Sequence, residues 1–392
     1  MQKPNNIEPY DCIIVGCGSS GLSLAWYLIQ ELGETYKILL IERSFENRKN
    51  KTWCFWDEDA KPDIISSRIF WNDLVFGNQK EKITGSLINY TYRMISSASY
   101  EEMMIKELCK YKNIFWAEDT VKSIQEDDSY TTVIAENGIY NTKKVFKSNI
   151  RQKDITNSVY LKQHFLGWKV KTDNAVFDHK KAVLMDFNVA QKNATAFMYL
   201  LPFSGSTALV EYTMFSKNVL EKDEYEYEIN KYLYDNFGLT ADDYKVTETE
   251  GGAIPMIMRG SKLNEGKNIF NIGVAAGSNK PTTGYAFNRI HRINMQIAKH
   301  ISKGEEPQVL NLSPKRYRFY DILLLDILEN QPDASVNIFS KLFKRNSMDS
   351  ILKFMDEKAG FLENMRLLVT LPWGPFLKAL WRNRKHILTG KF

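Results

Sequence analysis

A glycine-rich hexapeptide, Gly16-Cys17-Gly18-Ser19-Ser20-Gly21, separates an apolar, β-branched run from Tyr10 to Val15 and a helix-compatible stretch from Ser20 to Leu32. A second apolar run, Lys37 to Ile41, follows and ends at Glu42. The pattern predicts a strand–turn–helix–strand unit. Gly16 permits the tight turn, Gly18 lets backbone N–H groups approach a pyrophosphate, and Gly21 allows the helix to pack closely. The helix N-terminus favours negative charge, and Glu42 is placed to accept from a ribose 2′-hydroxyl. A structural glycine turn is the plain alternative, but the strand, the helix and the terminal acid together favour a bound dinucleotide.

Residues 12–29 carry no charge, yet the glycine and serine interruption would leave a polar turn in hydrocarbon, so a membrane span is not expected there. The N-terminus lacks a basic segment followed by an unbroken apolar one, so no cleaved leader is expected. With 392 residues, 44% hydrophobic and 25% charged, the chain is in the globular range, with length for two or three domains. A net charge of +5 is too dilute for a nucleic-acid footprint. Cys12, Cys17, Cys54 and Cys109 form no C-x-x-C pair and favour a reducing, cytoplasmic setting. The five histidines form no metal-binding spacing, so no metal is expected.

A second uncharged, glycine-bearing transition runs from Asn271 to Phe287 and contains Gly273, Gly277, Thr283 and Gly284. Two such elements on one chain suggest FAD, the first holding the adenosine end and the later one supplying backbone N–H groups to the ring system, whereas NAD would need no such late element and a glycine-rich connector is the plain alternative. Between them, from Val159 to Val210, lie short aromatic and β-branched runs expected to form a mixed or antiparallel sheet. Glu221 to Phe237 reads as a helix stopped by Gly238, and leucine-rich helical periodicity takes over from Asp321. The expected fold is α/β: a Rossmann-type FAD-binding domain (1–58, 92–150 and 262–310), an inserted sheet-based substrate domain (59–91 and 151–261) and a helical C-terminal cap (311–392).

Further motifs are Asn50-Lys-Thr-Trp-Cys-Phe-Trp56, Gln163-His-Phe-Leu-Gly-Trp168, Leu209-Val-Glu-Tyr-Thr213, Glu250-Gly-Gly-Ala-Ile-Pro-Met256 and Pro281-Thr-Thr-Gly-Tyr285. With these the chain resembles, over essentially its whole length, the lycopene cyclase family of FAD-dependent carotenoid enzymes, especially the bacterial β-cyclases. The resemblance implies conversion of lycopene to β-carotene through γ-carotene, without net redox change but with reduced FAD, NAD(P)H as its reductant, and lycopene or other acyclic carotenoids as substrates. It places the family's proposed acid or base on Glu211. The second acid of that motif is Tyr212 here, a departure expected to leave one fewer carboxylate beside the chemistry than a two-acid mechanism through position 212 needs. Val274 replaces a common aspartate, so the flavin grip would rest on backbone. Asn50-Lys51 stands where Asp-Arg is frequent, so a point charge is expected in place of a bidentate phosphate contact.

Cyclisation protonates an alkene, passes through a tertiary carbocation and ends in proton loss, so it needs a strong acid in a dry pocket. Burial keeps a glutamic acid protonated, and aromatic faces stabilise a cation. The expected pocket comprises Trp53, Phe55, Trp56, Phe165, Trp168, Tyr212 and Glu250, with Phe197 and Tyr199 as further aromatic candidates. Most of these rings would serve equally as core. His164 reads as a hydrogen-bonded sheet histidine, and Asp186 as a pocket-orienting or structural acid.

The tail from Phe361 carries Arg366, Lys378, Arg382, Arg384, Lys385 and Lys391, no acid after Glu363, and Trp373, Phe376, Leu377, Leu380, Trp381, Ile387 and Leu388 near helical spacing. It is expected to lie on a membrane surface as a basic amphipathic helix, giving a cytoplasmic, peripherally attached protein; a core-packed terminal helix is the alternative. Two other functions fit the glycine motifs: an FAD-dependent hydroxylase or reductase of a hydrophobic isoprenoid, and a flavin-holding carotenoid carrier without turnover.

Overall fold

A computed structural model describes residues 1–4, 9–46, 48–57, 69–148, 159–257, 264–307 and 313–388. The domain boundaries expected near residues 58, 150, 261 and 310, and Lys391 of the tail, lie outside these described residues.

The apolar run Tyr10–Val15 forms β1, Ser19–Leu32 forms α1 and Ile38–Glu42 forms β2. β1 is central and buried and pairs in parallel with β2. On its other side it pairs with β11 (Ile139–Lys147). Beyond β2 lies β8 (Ile114–Glu118). The late strand β17 (Ile269–Asn271) returns to pair in parallel with β11, bringing the second glycine segment beside the first. Under this sheet α1 packs against α4 (Phe287–Ser302), where Asn294 Nδ2 donates to Ser20 O and Ser23 Oγ at 2.8 and 2.7 Å.

The expected mixed sheet is present as seven strands. Its order is β16 (Tyr244–Ile257), β12 (Val159–Thr172), β15 (Thr207–Ser216), β14 (Thr195–Pro202), β13 (Lys181–Asp186), β5 (Asp73–Gly77) and β6 (Lys82–Ser86). All its pairings are antiparallel except β13 with β5. Period-2 alternation gives it two apolar faces. One buries Trp168, Met198, Val210, Tyr212 and Met214 against α3 (Lys222–Phe237). Glu221 and Glu224 form the α3 capping box and Gly238, in the left-handed conformation, ends it. The other face buries Leu161, Phe197, Leu201, Leu209 and Phe215 against a small sheet and C-terminal helices. That small sheet has the order β3 (Thr52–Asp57), β7 (Thr91–Ser96), β4 (Ile69–Trp71).

The C-terminal helices are α5 (Lys315–Asn330), α6 (Pro332–Arg345), α7 (Met348–Met355), α8 (Phe361–Leu368) and α9 (Trp373–Leu388). Helical structure therefore starts earlier than Asp321, directly after Pro314, whose fixed φ suits a helix entry. The tail is two helices rather than one, because Pro372 cannot continue α8. Among the described residues no helix is long and apolar enough to cross a membrane.

Candidate functional site

A row of four residues crosses the seven-stranded sheet on the face toward β3 and β7. Gly167 of β12 pairs with Glu250 of β16 on one side and with Glu211 of β15 on the other, and Glu211 pairs with Tyr199 of β14. Directly paired residues share a face, so Glu250, Gly167, Glu211 and Tyr199 project together. Gly167 leaves a gap in the row. A Cβ there would lie 3.1 Å from Leu209 Cδ1 and 3.3 Å from Glu211 Oε2, so the Glu211 carboxyl leans over the glycine.

Thr213 Oγ1 donates to Glu211 Oε1 at 2.8 Å, and the Thr52 N–H donates to Glu250 Oε2 at 2.9 Å. Burial, reinforced by the charge of Glu250 and opposed by the Thr213 hydrogen bond, pushes the Glu211 carboxyl from the ordinary 4.5 up to about 8. Burial raises Glu250 as well, with the Thr52 contact opposing. Protein atoms enclose Glu211 although it retains intermediate surface exposure. Its open surface therefore faces a recess, and desolvation governs its protonation.

Three phenols close the recess. Tyr92 of β7 bonds Tyr199 at 2.5 Å and Tyr285 at 2.8 Å through the hydroxyls. Trp56 meets the Tyr285 ring edge-on with centroids 4.8 Å apart. Cys54 lies among these hydroxyls, its thiol pushed by burial up to about 12. Tyr285 ends the Pro281-Thr-Thr-Gly-Tyr segment, which is laid directly on the sheet: a Cβ on Gly284 would come within 2.8 Å of Gln163 Oε1. Beneath it Lys280 is buried with Asp321 (2.9 Å) and Glu357 (2.9 Å), and Arg289 also reaches Glu357 (2.9 Å), which ties the segment to α5 and the α7–α8 turn.

The expected pocket divides along strand alternation. Glu250, Trp56 and half-buried Phe165 accompany Glu211, whereas Trp168 and Tyr212 lie on the opposite face. Tyr212 cannot share a face with Glu211, its chain neighbour; its hydroxyl donates to Ala190 O at 2.6 Å. Replacement of an acid at 212 thus removes no carboxylate from beside Glu211. Trp53 and Phe55 turn from the row toward α4, with Phe55 stacked on Phe287 at 4.7 Å, while their neighbours Cys54 and Trp56 face it. His164 is fully buried between Tyr225 (2.5 Å) and Ser216 (2.8 Å), and Asp186 accepts from Tyr232 (3.1 Å) and the Asn188 N–H (3.0 Å). Both are structural on these contacts. Sequence reasoning misses the roles of Gly167, Tyr92 and Tyr285, although Gly167 is a glycine inside an apolar strand and Tyr285 ends a motif.

The glycine elements fit a dinucleotide. Gly16 has φ +98°, and a Cβ on Gly21 would overlap the Gly16 carbonyl. Gly18 caps α1 with open space above it, and no side chain caps the helix. A buried helix start without a cap invites an anion. Glu42 Oε2 accepts from the Cys17 N–H at 2.6 Å, bracing the turn while lone pairs remain for a hydroxyl. Arg48, hydrogen-bonded to Cys17 O at 2.9 Å and paired with Glu101, stands beside Gly18. It offers the guanidinium that Asn50-Lys51 lacks. Gly273, Gly277 and Gly284 all have positive φ, and Gly273 packs on Ser20. The buried polar atoms Ser20 Oγ, Ser278 Oγ and Thr283 Oγ1 of the two elements, and Gln163 Oε1 beside Gly284, have no hydrogen-bond partner among the described residues. Such orphans suit a polar cofactor crossing from α1 to the Tyr285 segment.

A model of the lycopene cyclase protein family matches residues 11–381. The chain belongs to the lycopene cyclase family. Within this family it is 24% identical to a lycopene beta-cyclase of Pseudescherichia vulneris over 293 residues, covering 70% of each chain. Against the lycopene beta-cyclase of Pantoea ananas it is 23% identical over 397 aligned positions, covering 95% of this chain and 97% of that one. Its fold is similar to a flavoprotein/dehydrogenase from Cytophaga hutchinsonii, with TM-score 0.59 at 13% identity over 91% of this chain and 93% of the other. Its fold is also similar to a geranylgeranyl bacteriochlorophyll reductase-like protein from Thermoplasma acidophilum, with TM-score 0.60 at 14% identity over 96% of this chain and 99% of the other.

Proposed function

We propose that the protein is a lycopene β-cyclase that closes the ψ-ends of lycopene into β-rings using FAD in its reduced form. The observation that carries the reading is Glu211, a buried carboxyl held protonated at neutral pH beside Tyr199 and Tyr285, with Trp56 packed on Tyr285. Its O–H delivers the proton to the terminal alkene, and the aromatic faces support the tertiary cation by about 2 kcal/mol each when water is excluded. The buried phenols stay neutral, which keeps ionised nucleophiles away from the cation. Gly16, Gly18, Gly21, Arg48 and Glu42 would hold the pyrophosphate and ribose, and Gly273 to Gly284 the ring system. Reduced FAD, when bound, supplies negative charge beside the cation with no net electron transfer, and NAD(P)H would serve as its reductant.

The proposal includes a membrane surface as the source of the substrate, since a C40 hydrocarbon is not delivered through water. Phe361, Leu362 and Val369 in and just after α8, and Trp373, Leu377, Trp381 and Leu388 of α9, are all exposed beside Lys378, Arg384 and Lys385. Arg384 lies over the Trp381 ring at 4.2 Å, a pairing suited to the headgroup region.

Expression in cells accumulating lycopene, with chromatography and mass of the pigment, tests the reaction. A bicyclic product of unchanged mass is expected. A product gaining oxygen or hydrogen would point to a hydroxylase or reductase, and bound but unaltered lycopene to a carrier.

A further inference from the structure

We propose that Glu250 is the base that removes the final proton, so that Glu211 and Glu250 form an acid–base pair on the two strands that flank Gly167. The inference rests on the cyclase reading above. Strands in a sheet lie about 4.8 Å apart, so the two backbones stand roughly 10 Å from each other with one glycine strand between them. With no side chain at Gly167, the Glu211 carboxyl lies over that glycine, toward the strand beyond which Glu250 stands, so no side chain of the intervening strand separates the two carboxyls.

Among the described residues, the groups facing this row leave one candidate. Thr213 of β15 donates to Glu211 and is no base. Tyr199 of β14, Tyr92 of β7, Tyr285 of the loop and Cys54 of β3 are held in their neutral forms by burial. Glu248, two residues along β16, is exposed and engaged by Lys169 and Asn50. Glu250 is tied by the Thr52 N–H, a contact that favours its carboxylate, whereas Glu211 has only a hydroxyl donor. Two adjacent carboxyls in unequal settings divide the acid and base roles between them.

The protons balance without a redox partner. The Glu211 O–H bond breaks as a C–H bond forms at the alkene, leaving a tertiary cation and the Glu211 carboxylate. The neighbouring alkene's electron pair closes the ring bond and moves the charge into the ring. Glu250 takes a proton from the adjacent carbon, whose C–H electron pair becomes the ring double bond. The proton then returns from Glu250 to Glu211, and both groups are reset.

The test uses the flavin-loaded enzyme, reduced, with lycopene in liposomes, across a pH series. Glu250→Gln keeps the size of the side chain and an acceptor for Thr52, so flavin absorbance should be retained. Turnover should fall by ~10²-fold or more, and the acid limb of the rate profile, set by ionisation of the base, should disappear. Glu250→Asp should retain part of the rate with a displaced acid limb. Wild-type turnover and an unmoved acid limb in Glu250→Gln would overturn the assignment. If that variant loses flavin, an acid limb unmoved in Glu250→Asp overturns it equally. Glu211→Gln, run alongside, separates the two failures: its inactivity beside an active Glu250→Gln leaves the cyclase reading standing, whereas wild-type activity in Glu211→Gln removes the acid on which both depend.

Discussion

At Glu211 two consequences of one desolvated carboxyl can be measured separately. Glu211→Gln preserves size but carries no transferable proton, so cyclisation should fall by at least ~10²-fold with flavin retained; Glu211→Asp should keep a trace. Stability should move the other way. The folded chain keeps a proton that the unfolded chain loses between the ordinary 4.5 and about 8, so this group's contribution falls as pH rises through that window and is level above it. Thermal melts of Glu211→Gln should therefore match wild type near pH 4 and exceed it at pH 8, by on the order of a few kcal/mol. Equal melting differences at both pH values would contradict the burial of its charge. Tyr212→Phe supplies the contrast. It removes a hydrogen bond to Ala190 O behind the sheet and should cost about 1 kcal/mol with cyclisation unchanged.

At the scale of elements, α8 and α9 divide the tail between core and surface. Ala379 and Asn383 are buried, with Phe376 and Ile387 packed alongside, while Trp373, Leu377 and Trp381 point outward. Replacing Trp373 and Trp381 together by glutamate should lower flotation with anionic liposomes at low salt severalfold and leave the melting temperature near wild type. Unchanged flotation would return the tail to a purely structural role. Arg382 behaves differently from Arg384 and Lys385 despite its position among them. Its Nε reaches Asp326 at 2.8 Å, and that aspartate is buried, so Arg382→Gln should cost about 2 kcal/mol of stability and alter membrane binding little. Tail charge by itself is therefore a poor guide to which cations meet lipid.

For the whole molecule, the proposed flavin site draws on the first sheet, the start of α1 and the segment that carries Tyr285 onto the second sheet. Gly18 has no crowded neighbour, so Gly18→Val should fold, as judged by circular dichroism, yet lose bound flavin because its side chain enters the space of the pyrophosphate. Full flavin absorbance in the folded variant would remove the first glycine element from the site. Lys280, Asp321 and Glu357 connect this segment to the C-terminal helices through buried charges, so Asp321→Ala should destabilise by about 3 kcal/mol and loosen flavin at the same time.

The local elements were legible because they depend on neighbours in sequence. Glycine spacing, β-branched runs and the Glu221–Gly238 boundaries set β1, α1, β2 and α3 through backbone sterics, caps and apolar periodicity, while Glu211 was singled out only by the family resemblance of the Leu209 to Thr213 motif. The partition of aromatic residues was not legible from motif membership. Trp53 and Trp56 belong to one short motif and Glu211 and Tyr212 are adjacent, yet strand alternation sends the members of each pair to opposite faces. Which face becomes a recess depends on what packs there, and the pairing of β12, β15 and β16 joins residues distant in sequence. Only that tertiary register placed Glu250 and Glu211 on either side of Gly167 and brought Tyr92 and Tyr285 over them. A sequence determines the chemistry each residue can offer; desolvation and proximity, which decide what a carboxyl does, arise from contacts between strands far apart along the chain.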